Sequence, residues 1–171
     1  MVAFPRKGAY SRRVVASPYV MDYSGRFWFP VPPSEVWAAI GQFDQFERWW
    51  GWLGELAVDG PGLQTGSVLR GTVAPPVPYR MRVAVELDRC EPERSIDASV
   101  SGDLVGDAYL ILNQTSDGTV LDVAWSLEMM QLPMRVAARV AHPLLRWGHD
   151  RVVEATVSGL RARLVEAPRG R

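Results

Sequence analysis

Apolar and polar positions alternate with period two through the middle of the chain and return at helical spacing on either side of it. In "PYRMRVAVELD", residues 78–88, Tyr79, Met81, Val83, Val85 and Leu87 fall on one side and Arg80, Arg82, Glu86 and Asp88 on the other. That alternation marks a strand of an antiparallel sheet with one buried face. "SIDASVS" repeats it with Ile96, Ala98 and Val100 inward, and "VLDVAWSLE" with Leu121, Val123, Trp125 and Leu127 inward. "DLVGDAYLILN", residues 103–113, is apolar on both sides. Leu104, Ala108, Leu110 and Leu112 make its more uniform face, which turns Asp107 and Tyr109 outward. "ELAV" (55–58) and "VLRGTV" (68–73) are weaker strands divided by "DGPGLQTG". "EPE", "SGD" and "SDG" supply turns at the spacing of a meander.

Before this run, "FWFPV" (27–31) has strand composition and stops at Pro32-Pro33. "PPSEVWAAIGQF" then enters a helix through Pro33 and Ser34, with Val36, Trp37 and Ile40 on one side, and ends at Gly41. "FDQFERWW" reads as a second short helix stopped by Gly51 and Gly54. After Pro133 the period is helical to about Leu164, and Pro143 divides a short amphipathic piece from a long terminal helix. Leu145, His149, Val152, Val153, Thr156, Val157, Leu160 and Leu164 share a broad face of that helix. Arg146, Asp150, Arg151, Glu154 and Arg161 take the opposite one. The order predicts an α+β helix-grip fold: a curved antiparallel β-sheet wrapped around a long C-terminal helix, with two short helices after the first strand. Residues 1–18 carry Arg6, Lys7, Arg12 and Arg13 with no acidic residue and no period. They read as a basic N-terminal extension ahead of a single domain over residues 19–167.

Composition narrows the function classes. Basic and acidic residues balance at 19 each, so no global field draws nucleic acid. Lys7 is the sole lysine among them, a bias that suggests a GC-rich bacterial genome. Cys90 is the sole cysteine, which excludes an intrachain disulfide; acidic neighbours in "LDRCEPE" raise its pKa and argue against a nucleophile. No apolar run approaches the roughly 20 residues of a membrane span, and the N-terminus lacks the apolar core of a secretory signal. The expectation is a cytoplasmic protein without integral membrane insertion. "HD" at 149–150 lacks the further ligands a metal centre needs, since the chain has two histidines in all. "GPGLQTG" has neither the Lys-Ser/Thr of a phosphate loop nor dinucleotide-binding spacing, so no cofactor is expected.

Three stretches, "VPPSEVWAAIGQFDQFERWW", "GDLVGDAYLILNQTSDGTVLDVAWSLEM" and "RWGHDRVVEATVSGLRARL", resemble the START-like (SRPBCC) superfamily in its polyketide cyclase/dehydrase-like branch. The resemblance runs over roughly residues 24–165 and implies a cavity between sheet and terminal helix. It sets Trp49, Trp50 and Trp52 beside the mouth, either as pocket wall or as the seal between the short helices and the sheet. Expected ligand contacts are Trp49, Trp52, Tyr79, Met81, Val83, Trp125, Leu127, His149, Val153 and Thr156. His149, on the apolar helix face, could bind a ligand oxygen, act as a general acid/base near neutral pH, or be a buried histidine satisfied by the protein itself. The leading reading is binding, or transport, of a small hydrophobic molecule such as a lipid, polyketide or aromatic metabolite. One alternative is a polyketide cyclase or dehydratase using His149 with Tyr79, Tyr109 or Asp107. Another is an accessory domain that meets a protein partner through an exposed Trp cluster. Oligomeric state is not set by the sequence.

Overall fold

The structure, a computed structural model, describes residues 19–75, 79–132, 135–136 and 142–166. The basic extension and most of the amphipathic piece after Pro133 lie outside the described residues. Strand β1 (Val20–Phe29) leads through helix α1 (Pro33–Ile40), a 3-10 turn (Phe43–Gln45) and helix α2 (Phe46–Trp49). Then follow β2 (Leu53–Asp59), β3 (Val68–Val73), β4 (Met81–Glu91), β5 (Ser95–Gly102), β6 (Leu104–Thr115), β7 (Gly118–Met129) and helix α3 (His142–Glu166). All seven strands form one antiparallel sheet in the order β1-β7-β6-β5-β4-β3-β2. The two short helices carry the chain from one edge to the other, and the meander walks back. This is the helix-grip layout that the hydrophobic pattern predicts.

β1 is longer than "FWFPV" suggests, and it pairs with β7 from Val20 to Phe29. Asp22, Ser24 and Arg26 dilute its hydrophobicity because they face solvent, while Met21, Tyr23, Phe27 and Phe29 alternate inward. α1 starts at Pro33, where the missing N–H costs nothing, and Glu35 sits favourably in its first turn. Gly41 closes it by donating its N–H to the Trp37 carbonyl at 3.0 Å.

Register decides which side chains meet. Tyr23 lies opposite Trp125, Trp125 opposite Ala108, Ala108 opposite Ala98, and Ala98 opposite Leu87, all on the side that faces α3. Asp107 is paired between Ser99 and Ser126, and Tyr109 between Asp97 and Ala124, on the outer side. Asp88 is skipped in the β4–β5 register, a bulge that bends β4. Gly106 has φ +156° and its hydrogen faces the Ser126 carbonyl, so any Cβ there would collide with the neighbouring strand.

The C-terminal half of α3 is clamped to the sheet. Leu160 and Leu164 are buried with Phe29, Val36, Ala39, Leu112 and Leu121. A second core at the other end of the sheet gathers Met81, Val100, Leu104 and Met129, with Met21, Tyr79, Val83 and Leu127 against it. On the outer face, Asp122 is buried beneath Arg26 (Nε to Oδ1 2.6 Å) and accepts from Asn113 Nδ2 at 3.0 Å, which pins β1, β6 and β7 together.

Candidate ligand site between the sheet and the terminal helix

Tyr23 and Phe27 of β1 and Val153, Val157, Ser158, Asp150, Glu154 and Arg161 of α3 line a cleft of about 480 Å³. That lies within the roughly 300–1,000 Å³ of small-molecule sites. Behind its Tyr23 wall lies an aromatic floor. Tyr23 stacks on Trp125 with centroids 4.3 Å apart, and His149 closes over both at 5.1 and 5.5 Å. Gly25 makes room for this, because a Cβ there would stand 2.5 Å from the Tyr23 hydroxyl.

His149 is the polar residue of this floor. Its side chain is 12% exposed, its Nδ1 lies 3.4 Å from Asp150 Oδ1, and its Nε2 is buried with no hydrogen-bond partner among the described residues. The helix flank Asp150–Glu154–Arg161, expected to face away from the cavity, instead borders the cleft on its β1 side.

The tryptophans divide their work. Trp50 holds α2 against α3: its Nε1 donates to the Thr156 carbonyl at 3.1 Å, and its ring lies against Gly159. Trp52 stacks on Trp50 at 5.6 Å with an interplanar angle of 10°, and its Nε1 is buried without a partner among the described residues. Trp49 packs between Phe46 and Trp50 at 5.7 and 6.4 Å. All three are partly buried, so they do not form the exposed patch an interaction surface would need. Trp28 and Trp147 are the exposed tryptophans among the described residues. The Thr156 hydroxyl donates to the Val152 carbonyl at 2.7 Å within the helix.

Of the remaining expected contacts, Val153 lines the cleft, while Trp125 and His149 pack on Tyr23 behind it. Leu127 is next on the same face, opposite Met21, and joins Tyr79, Met81 and Val83 at the second core. Tyr109 and Asp107 do not belong to the site, because alternation in β6 points them to the outer face. There burial, and then the charges of Asp107, Asp97 and Asp88, raise the Tyr109 hydroxyl pKa. Tyr23 and Phe27 are site residues that the sequence pattern does not single out. The signal for them in β1 is the spacing of Met21, Tyr23, Phe27 and Phe29. Cys90 has its thiol raised by burial and by Asp97, as its sequence neighbourhood implies. Among the described residues no three His, Cys, Asp or Glu side chains gather as a metal ion would require.

Burial raises the Tyr79 hydroxyl above 10.0, and burial followed by the Asp150 charge does the same for Tyr23. The folded state therefore holds these protons more tightly than the unfolded chain. The stability they contribute is complete below pH about 10 and is lost as pH rises through the raised folded values. Alkaline titration, followed by tyrosinate absorbance and far-UV circular dichroism, should show unfolding begin above pH about 10. Tyr79→Phe should lessen that alkaline loss. An unchanged alkaline limb would mean that Tyr79 ionises freely in the folded protein.

A family model described as "Polyketide cyclase / dehydrase and lipid transport" matches residues 23–165. The chain belongs to that family. Among curated proteins, none matches it by sequence. Solved structures share the fold at low identity. A protein from Thermus thermophilus superposes with TM-score 0.70 at 14% identity, over 86% of this chain and 99% of that one. The Zhui aromatase/cyclase from Streptomyces sp. R1128 gives 0.68 at 13%, over 89% and 99%. The di-domain ARO/CYC BexL from the BE-7585A biosynthetic pathway gives 0.67 at 12%, over 91% of this chain and 53% of that one. No helix among the described residues of this family member is long and apolar enough to cross a membrane.

Proposed function

We propose that the protein binds a small hydrophobic molecule, of lipid, polyketide or aromatic type, between β1/β7 and α3. The observation that carries this reading is the cleft of about 480 Å³ lined by Tyr23, Phe27, Val153 and Val157, with Trp125 and His149 packed on Tyr23 behind it. Aromatic rings give large contact area to a flat apolar ligand at low entropic cost. The family description and the aromatase/cyclase neighbours support the same ligand class. Binding is favoured over cyclase or dehydratase chemistry because Tyr109 and Asp107 sit across the sheet from His149. An enzyme in this fold would have to work with His149 and Tyr23 instead.

The test is to purify the protein under native conditions, extract it with organic solvent and analyse the extract by mass spectrometry. One stoichiometric hydrophobic compound is expected. Tyr23→Ala combined with Trp125→Ala should abolish it, while Asp107→Asn and Tyr109→Phe should leave the loading unchanged. Equal loading of the Tyr23/Trp125 variant would count against the site.

A further inference from the structure

The lining of the cleft between β1 and α3 is sorted by charge along its length. Its helix side is a stripe of α3 at i, i+3 and i+4 spacing. Asp150 and Glu154, one turn apart, put two carboxylates at one end of the stripe, and Arg161 puts a guanidinium at the other. At the rise of a helix, Arg161 lies roughly 10 Å from Glu154 and roughly 16 Å from Asp150 along the axis. Between these poles α3 presents Val153 and Val157. The strand side follows the same order. Tyr23 stands at the acidic end, where burial and then the Asp150 charge raise its hydroxyl pKa. Phe29 marks the basic end, with the Arg161 guanidinium carbon 5.9 Å from its ring centroid. The acidic pole has cations beside it: His149 Nδ1 is 3.4 Å from Asp150, and Arg151 is 3.6 Å from Glu154. Arg161 leans instead over an aromatic ring, a contact that takes up a ring face and no carboxylate.

We propose that the cleft takes an amphipathic molecule with an anionic group at one end only, set with that group on Arg161 and its apolar body pointing toward Asp150 and Glu154. The inference rests on the ligand-binding reading above and deepens it by giving the ligand a charge and a direction. A planar guanidinium meets a carboxylate or phosphate through two parallel N–H donors, which fixes orientation as well as position. Two carboxylates one turn apart repel a second anion, so a diacid is excluded where a monoacid fits. The valines and aromatic rings between the poles accept the apolar body. A neutral molecule of the same shape gains the apolar contacts and nothing from either pole.

Four biphenyls of one width decide it by calorimetry at low salt: 4′-methylbiphenyl-4-carboxylate, its methyl ester, biphenyl-4,4′-dicarboxylate and 4-aminomethyl-4′-methylbiphenyl. The monoacid is expected to bind about fivefold more tightly than each of the others, the scale of an ion pair open to solvent. Added salt should shrink that ratio. Arg161→Gln should erase the preference for acid over ester, and Asp150→Asn with Glu154→Gln should erase the penalty on the diacid. If a variant fails to fold by circular dichroism, the wild-type ratios alone decide. Equal affinity for acid and ester, or tighter binding of the amine, overturns the anionic end. Equal affinity for monoacid and diacid overturns the direction. In each of these cases binding of the ester leaves the hydrophobic site standing, whereas no binding by any of the four overturns the site and its polarity together.

Discussion

Phe29→Ala is expected to lower the unfolding free energy by about 3–5 kcal/mol. Phe29 is fully buried where the end of β1 meets α1 and the C-terminal half of α3, against Val36, Leu112, Leu121, Leu160 and Leu164. Removing the ring deletes its transfer energy and leaves a cavity walled by α1, β6, β7 and α3, none of which can collapse without shifting the others. Urea unfolding followed by tryptophan fluorescence measures the loss as a lower midpoint at an unchanged slope. The adjacent Trp28 is 44% exposed on the other face of the strand. Trp28→Ala should cost under about 1 kcal/mol. Similar losses at both positions would mean that α3 is not seated on Phe29.

Gly159→Leu is expected to have the second large effect, about 1–3 kcal/mol by overpacking. A Cβ at this position would stand 3.0 Å from Trp50 Nε1 and 3.1 Å from the Trp49 carbonyl oxygen. The Trp49 carbonyl is backbone and cannot turn aside, so the added side chain must push α2 from α3 and break the Trp50–Thr156 hydrogen bond. The emission spectrum should move to the red as Trp50 gains water, and ligand loading should fall. Gly159→Ala separates the causes. It adds helix propensity of up to about 1 kcal/mol but meets the same two contacts in milder form. A stabilised Gly159→Leu protein with unchanged emission would show that the helix pair is not locked through this glycine.

The C-terminal turns of α3 are clamped to the core, while earlier turns border the cleft beside β1. Leu160 and Leu164 anchor the helix to the core around Phe29. Val153, two turns earlier, lines the cleft, and His149, three turns earlier, packs on the aromatic rings behind it. On the proposed reading, stability and binding fall on different lengths of one helix. Phe29→Ala should weaken the fold, and Trp125 or Tyr23 substitutions should weaken binding, with little exchange between the two.

The local pattern along the chain was enough to determine strand identity and face. In β4, β5 and β7 a period of two carries the buried side on Met81, Leu87, Ile96, Val100, Leu121 and Met129, because one face meets the core and the other meets water. The same logic turned Asp107 and Tyr109 outward in a strand that is apolar on both sides. The pattern was too weak to show β1 in full, because an edge strand can hold Asp22, Ser24 and Arg26 on its free face. Tertiary structure alone decided the site. Tyr23 and Trp125 are far apart in the chain and meet only through the β1–β7 register, while His149 reaches them from a helix whose tilt no local spacing encodes. It also separated Trp50, whose indole donates to the Thr156 carbonyl, from Trp52, whose indole has no partner among the described residues. Hydrogen-bond satisfaction depends on which carbonyl a distant element presents, and that is a property of the packed molecule, absent from the run of residues.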